Sequence, residues 1–183
     1  LSKNKQLLHE VKGKALVFSV DASLKILLEM GFVPDMVTSL ERTLLTAKLY
    51  RKLERYDLSD CWLAGCPVIV KEIYEKYPGP NIVTYRNFRH FHWLGIDKGI
   101  MDIGASAANM AFKVADFLGC DPIIMIGQDL AYAPSGDTHA EGMALGKREM
   151  TLENPYGGKV EVPGNNGDTV LTQEIWLTFL KQF

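Results

Sequence analysis

Short apolar runs alternate with helical segments along the first two thirds of the sequence. The apolar runs occur at positions 15–20, 35–40, 61–65, 81–85 and 122–127, and helical spacing or mixed charge occurs at positions 24–30, 44–56, 67–77 and 106–118. Near-continuous apolar strands that alternate with helices are typical of a parallel sheet that is covered on both faces. We therefore expect an α/β, Rossmann-like fold with a mostly parallel sheet and helices on both faces.

The alternation of apolar runs and helical segments ends after Gly142. Residues 148–162 predict a small β-hairpin with a glycine-rich turn, and residues 168–183 predict a last helix. The length of 183 residues and the absence of a repeat or long linker favour a single domain over residues 1–183. Because the chain opens on Leu1 and closes on the apolar segment WLTFLKQF, we also expect a fragment of a longer chain.

Composition excludes several classes of function. A formal net charge of −2 offers no basic surplus for a nucleic-acid backbone, and no apolar run approaches the length of a membrane span. The three cysteines lack CxxC spacing, so neither a disulfide framework nor a zinc site is indicated, which favours a cytoplasmic protein. We expect no nucleic-acid partner, no membrane partner and no resident metal.

Two groups of polar residues follow the first two predicted strands. In an open parallel sheet, ligands bind outside the carboxyl ends of the strands. Asp21 and Ser23 come directly after the first strand, where Asp21 can accept a hydrogen bond from a ribose hydroxyl or a base, although ordinary helix capping explains both residues equally well. Glu41 follows the second strand and is well placed for a ligand, whereas Asp35 precedes that strand and fits turn chemistry.

A glycine turn precedes the helix predicted over residues 106–118. Gly104 lets a ligand approach the backbone closely, with Ala105 beside it, and Ser106 can cap the helix or contact a phosphate. The segment lacks the GxxxxGK[ST] pattern of a P-loop, so close packing of the helix on the sheet is an equally good explanation.

The stretch that follows the apolar run at 122–127 has the highest density of titratable groups. Asp129 is expected at a strand end, and Tyr132, Asp137 and His139 follow in a loop rich in proline, serine and glycine. A histidine titrates near neutrality and can accept the proton of an attacking hydroxyl, but a lone loop histidine is equally often only solvated.

Three further residues have weaker signals. His90 and His92 share one face if their segment is extended. No third ligand follows at a spacing typical of metal sites, so the edge of a pocket is a better explanation than a metal site. Thr172, in the segment VPGNNGDTVLT, can contact a ligand through its hydroxyl or cap a helix.

Four segments together resemble the motility accessory factor family, bacterial glycosyltransferases that modify flagellin. They are VDASLKILLEMGFVPDMVTSLE, GASAANMAFKVADFLGCDPIIMIGQDLAY, SGDTHAEG and VPGNNGDTVLT, in that order. The resemblance implies a sialyltransferase-like fold and a donor that is a nonulosonic acid, pseudaminic or legionaminic, activated with cytidine monophosphate (CMP). Family members usually carry a first strand and a Gly-Pro-Ser-Leu turn upstream of a helix such as SKNKQLLHEV, so the resemblance implies that both belong to a longer chain and are missing from this fragment.

The resemblance also implies roles for individual residues. His139 would be the general base toward a serine or threonine hydroxyl of flagellin, Tyr132 would donate a hydrogen bond to the leaving phosphate, and Asp129 would orient the sugar or His139. The residues expected to bind the nucleotide sugar are Asp21, Ser23, Glu41, Gly104, Ala105, Ser106, Gly127, Gln128 and Thr172.

Two alternatives stay open at this point. An archaeal hydroxymethyldihydropterin pyrophosphokinase of the same superfamily transfers diphosphate from ATP, with Mg²⁺ near Asp21 or Asp129. A binding module that recognises flagellin or a nucleotide without turnover fits the same residues.

Overall fold

The computed structural model of the protein describes residues 5–96, 98–133 and 158–183. The chain divides into two compact units, Leu1–Ile126 and Gly127–Phe183. None of the helices in the described ranges has the length and apolar character that a membrane span requires.

The first unit is built on a four-stranded parallel sheet. Its strands are β1 (Phe18–Val20), β2 (Met36–Ser39), β3 (Trp62–Gly65) and β4 (Asn81–Val83), in the spatial order β1-β2-β3-β4. Val37 lies between Ser19 of β1 and Leu63 of β3, and both Val37 and Leu63 are fully buried. Burial of β2 and of most of β3 explains why these two runs are apolar without clear alternation. The predicted parallel sheet is confirmed.

Within the described residues, six α-helices and a short ladder accompany the sheet in this unit. The helices are α1 (Lys5–Val11), α2 (Asp21–Glu29), α3 (Leu44–Leu49), α4 (Lys71–Lys76), α5 (Arg89–Trp93) and α6 (Ala107–Phe117). Strands β5 (Tyr85–Arg86) and β6 (Ile100–Met101) pair in parallel as a separate two-stranded sheet.

Helices cover the two faces of the four-stranded sheet at the end of β2. The hydroxyl of Thr38 donates to the carbonyl oxygen of Ala107 in α6 at 2.8 Å, and the hydroxyl of Ser39 donates to the carboxylate of Asp21 in α2 at 3.0 Å. Because successive side chains of a strand point to opposite faces, α6 and α2 lie on opposite sides of β2. This arrangement confirms the predicted helices on both faces.

The helix predicted over residues 44–56 is interrupted. Helix α3 ends at Leu49, Lys52 has a left-handed backbone with φ of 62°, and a single 3₁₀ turn covers Leu53–Arg55. A positive φ cannot continue a right-handed helix. Tyr50 and Leu53, on either side of the break, are both buried.

The strand predicted over residues 122–127 is absent, which corrects the expectation. These residues form no ladder in the described part of the chain, and Ile124, Met125 and Ile126 are exposed. The run has the apolar composition of a buried strand. A strand also needs a neighbouring chain segment that pairs with its backbone N–H and C=O groups.

The second unit contains the predicted β-hairpin. Strands β7 (Lys159–Pro163) and β8 (Thr169–Gln173) pair in antiparallel, and helix α7 (Glu174–Leu180) follows. Its turn spans residues 164–168, where Gly164 N–H donates to Asp168 O at 2.7 Å; of the segment 148–162 predicted to form the hairpin, residues 148–157 lie outside the described residues. The helix predicted from residue 168 is therefore wrong over β8, whose β-favouring residues pair across the hairpin.

Candidate functional site

A buried carboxylate links the ends of β1 and β2. Asp21 follows β1 directly, and its Oδ2 accepts a hydrogen bond from Ser39 Oγ at 3.0 Å, while its Oδ1 accepts from the backbone N–H of Ala22 at 2.7 Å. Ser39 is the last residue of β2 and is fully buried. The two strands thus end in one polar cluster, which the parallel order of the sheet makes possible.

Helix capping does not account for this cluster. The N-cap of α2 is Val20, whose side chain makes no capping hydrogen bond, and Asp21 is the first residue of the helix. Ser23 donates to the carbonyl oxygen of Val20 at 3.1 Å, and its hydroxyl lies 3.1 Å from that of Ser19. Asp21 and Ser23 therefore point into the hydroxyl-rich end of the strands.

The carboxyl of Asp21 has an unfavourable environment for its charge. Burial raises the pKa of Asp21 above its ordinary value, and the like charge of nearby Glu41 raises it further. The hydrogen bonds from Ser39 and Ala22 act in the opposite direction but do not outweigh burial. Raised carboxyl pKa values beside a strand end are typical of functional sites.

Tyr50 extends the same cluster from the end of α3. Its ring is buried against Tyr77, with ring centroids 6.2 Å apart and planes at 72°. Burial raises the pKa of Tyr50 well above its usual range, and the charge of Asp21 raises it further, whereas Ser39 lowers it. The phenol is thus neutral and lies close to both Asp21 and Ser39.

The glycine turn before α6 forms as predicted. Gly104 has a φ of 68°, and Ser106 is the N-cap of α6, with its Oγ accepting from the backbone N–H of Asn109 at 3.0 Å. The same hydroxyl donates to Asn109 Oδ1 at 2.7 Å. The capping explanation of Ser106 is confirmed, while its contact with a ligand phosphate stays a prediction.

Arg86 lies beside this turn. Its Nη2 donates to the carbonyl oxygen of Gly104 at 2.8 Å, while its Nε is buried and has no hydrogen-bond partner among the described residues. The guanidinium also lowers the pKa of Cys66, just past β3, although burial raises that pKa to about 11. A positive charge therefore lies between the end of β3 and the start of α6.

The structure brings two of the three predicted groups to one end of the sheet. Asp21 lies at one face of the end of β2, and the start of α6 lies at the other face, held there by the bond from Thr38 to Ala107. Glu41, two residues beyond β2, is exposed at the same end. Asp35 lies at the opposite end of β2, where its carboxylate accepts from Val17 N–H at 2.7 Å, in agreement with turn chemistry.

The residues expected after position 126 belong to the second unit. Asp129 and Gly127 are exposed there, and Gln128 is partly buried. Tyr132 is buried beside Trp176, and its hydroxyl accepts a hydrogen bond from Gln173.

Other expected residues in this unit have local partners or lie outside the described ranges. Thr172 donates to the carbonyl oxygen of Leu130 at 2.5 Å. His139 and Asp137 lie outside the described residues. The expectation that Asp129 ends a strand is wrong, because the preceding segment is not a strand.

The two histidines of the segment RNFRHFHW do not share an extended face. They lie on helix α5, where His92 Nε2 is 2.9 Å from Asn87 Oδ1 and the His90 ring lies 4.2 Å from that of Phe91. Among the described residues, no group of three histidine, cysteine, aspartate or glutamate side chains is arranged to hold a metal ion.

The sequence does not predict three residues of the site: Ser39, Tyr50 and Arg86. Ser39 is the polar residue that ends an apolar strand, and this position carries the same signal as that of Glu41, two residues further on. Tyr50 lies in a segment with helical spacing, and Arg86 lies in one with mixed aromatic and basic residues, and neither pattern shows which way the side chain turns.

Comparison with known families identifies the chain. The sequence model described as "6-hydroxymethylpterin diphosphokinase MptE-like" matches residues 1–135. The chain belongs to this MptE-like family. The match covers the whole four-stranded sheet and both polar groups at its carboxyl end. No curated protein matches the sequence.

The MptE-like chain is also similar to a solved structure, the Maf glycosyltransferase from Magnetospirillum magneticum AMB-1. The TM-score is 0.72 at 19% identity, over 96% of this chain and 26% of that chain. The likeness is one of fold, and the chain spans about a quarter of the length of that protein. Together with the family match, it confirms the predicted superfamily of motility accessory factors and pterin diphosphokinases.

Proposed function

We propose that this chain binds the nucleotide sugar of a glycosyltransferase that moves a nonulosonic acid, of the pseudaminic or legionaminic type, from CMP to a serine or threonine of flagellin. The observation that carries the proposal is the pair of groups at the end of β2. The Asp21–Ser39 pair lies at one face of the strand end, and the Ser106-capped start of α6 lies at the other. The glycosyltransferase-like fold supports the reaction class.

The charges of these groups suit the two ends of a nucleotide. The start of α6 carries the positive end of the helix dipole, and Arg86 adds a full positive charge beside Gly104, so a phosphate is favoured there. Asp21 and Glu41 repel a phosphate but accept hydrogen bonds from hydroxyl groups. The nucleotide would therefore lie across the end of β2, with its phosphate toward α6.

The proposed chemistry is an attack of the acceptor hydroxyl on the anomeric carbon of the sugar. The new carbon–oxygen bond forms as the bond to the phosphate oxygen breaks, and CMP leaves with that electron pair. His139 takes the hydroxyl proton, Tyr132 hydrogen-bonds the leaving phosphate, and Asp129 orients the sugar or His139. These three roles are proposed from the sequence resemblance.

The transfer reaction has a direct test. Transfer from the CMP-activated donor to purified flagellin is measured for the unaltered chain, for His139→Ala and for the control His9→Ala on α1. Loss of a general base lowers transfer by about 10² or more. His9 is exposed, and its ring lies edge-on to that of Phe32 with centroids 5.9 Å apart, so its variant should keep normal transfer. Normal transfer in His139→Ala would exclude the histidine as the base.

A second candidate rests on the description of the matched family, a pterin diphosphokinase. That reaction transfers diphosphate from ATP and needs Mg²⁺, which proteins commonly hold with one or two carboxylates and the substrate phosphates. Asp21 and Glu41 fit that requirement as a pair. Calorimetric titration with CMP, and with ATP in the presence of Mg²⁺, separates the candidates: tight CMP binding without metal supports the transferase, and metal-dependent ATP binding alone supports the kinase.

A further inference from the structure

Helix α5 presents large apolar side chains to solvent. Trp93 is 84% exposed, the C-cap residue Leu94 is 59% exposed, and the N-cap residue Phe88 is 46% exposed. Arg89, one helical turn before Trp93, is exposed on the same face of the helix. We call Phe88, Arg89, Trp93 and Leu94 the α5 surface. Large apolar side chains that are grouped in this way mark a place where another molecule binds.

A cluster of rings holds the α5 surface in place. Phe91, on the inner side of α5, lies edge-on to Tyr85 of β5 with ring centroids 5.1 Å apart, and it stacks with Phe88 at 6.4 Å. His92 Nε2 lies 2.9 Å from Asn87 Oδ1 in the segment before the helix. The exposed side chains therefore stand on an ordered base, which lowers the entropy that is lost when a partner binds.

The charge of this region differs from that of the chain. Residues 84–101 contain Arg86, Arg89 and Lys98 against a single carboxyl residue, Asp97, whereas the whole chain has a formal net charge of −2. Arg89 and Lys98 are both exposed. Tryptophan and arginine are the residues that most often dominate the binding energy of protein interfaces. A basic surface with aromatic side chains is complementary to an acidic protein segment that carries apolar side chains.

Arg86 connects the α5 surface to the proposed phosphate site. Its Nη2 donates to Gly104 O at 2.8 Å, and its Cζ lies 5.6 Å from the centre of the Phe88 ring. In the proposed reaction, the accepting hydroxyl attacks the sugar carbon that is bonded to the phosphate. The acceptor must therefore approach beside this site, where the α5 surface lies.

We infer that the α5 surface docks the acceptor protein, through an acidic segment that carries apolar side chains near the accepting serine or threonine. Trp93 and Leu94 supply the apolar contact, and Arg89 pairs with a carboxylate of the acceptor. The inference rests on the proposed function, because that function places a protein acceptor beside the phosphate site at Gly104.

Two measurements separate docking from chemistry. Transfer from the CMP-activated donor is measured at varied concentrations of purified flagellin, and the binding of flagellin without donor is measured by calorimetry. The variants are Trp93→Ala and Arg89→Glu. The matched controls are Trp62→Ala, whose side chain is 44% exposed at the start of β3, and Lys14→Glu, an exposed residue before β1. Both controls lie at the end of the sheet away from the proposed site.

We expect Trp93→Ala and Arg89→Glu to raise the KM and the Kd for flagellin about tenfold or more, the size of effect that a central interface residue has. Both side chains are exposed and do not contact the donor site, so kcat and the KM for the donor should stay unchanged. The two controls should bind and modify flagellin as the unaltered chain does.

Unchanged KM and Kd in both variants, with transfer intact, overturn the docking surface and leave the proposed function standing. Absence of transfer by the unaltered chain refutes the proposed function. In that case, flagellin binding that Trp93→Ala weakens still supports the surface, and absence of binding overturns it. An equal loss in the controls also overturns it. Sedimentation of the unaltered chain, but not of Trp93→Ala, with phosphatidylserine vesicles assigns the surface to a membrane and overturns the inference, as does a dimer that Trp93→Ala converts to a monomer.

Discussion

Removing one oxygen atom from each of two packed tyrosines should change stability in different ways. Tyr50 and Tyr77 are both 6% exposed, and their rings contact each other. Tyr77→Phe removes the hydrogen bond to Cys61 O and leaves that carbonyl without this donor, which costs about 1 to 2 kcal/mol. Tyr50→Phe removes a hydroxyl that has no partner among the described residues, so the free energy of unfolding should stay equal or rise by up to about 1 kcal/mol.

Thermal unfolding followed by circular dichroism measures the difference. For a chain of this size, 1 kcal/mol corresponds to a shift of roughly 2 to 4 °C in melting temperature. Tyr77→Phe should therefore melt about 2 to 8 °C below the unaltered chain, and Tyr50→Phe should melt at the same temperature or slightly higher. Equal losses in the two variants would refute the reasoning, because they would show that Tyr50 has a hydrogen-bond partner in solution.

Three further changes test the packing and electrostatics of the first unit. Gly79→Ala places a Cβ against the carbonyl oxygens of Leu58 and Cys61, which cannot move easily, so urea unfolding should show a loss of more than about 2 kcal/mol. Ser106→Ala removes the N-cap bond of α6, and the same assay should show a loss of about 1 kcal/mol. In the unaltered chain, the raised pKa of Asp21 means that the folded state binds more protons, so its contribution to stability falls as pH rises from the ordinary carboxyl pKa through the raised one. Asp21→Asn should lack that part of the decline when unfolding is compared across this pH range; an unchanged decline would show that Asp21 does not cause it.

The elements of the sheet could be read from the sequence because each depends on its own residues. The runs that contain β1 to β3 are apolar, and they alternate with segments of helical spacing, so element type and fold class followed directly. The run at 122–127 has the same composition but forms no strand, since pairing depends on a distant neighbour. The break at Lys52 could not be predicted, because the buried residues Leu49, Tyr50 and Leu53 keep helical spacing across it and Lys52 is not a glycine.

The site divides in the same way between local and distant information. Asp21 and Ser106 stand at the junction of a strand or turn with a helix, and that position alone indicated a function. Ser39 joins the site because β2 lies beside β1, and Tyr50 joins it because α3 packs beside α2, which are properties of the folded unit. The burial of the Tyr50 hydroxyl beside the site is a property of three-dimensional surroundings that no motif marks, so motifs alone indicate Asp21 without the buried groups around it.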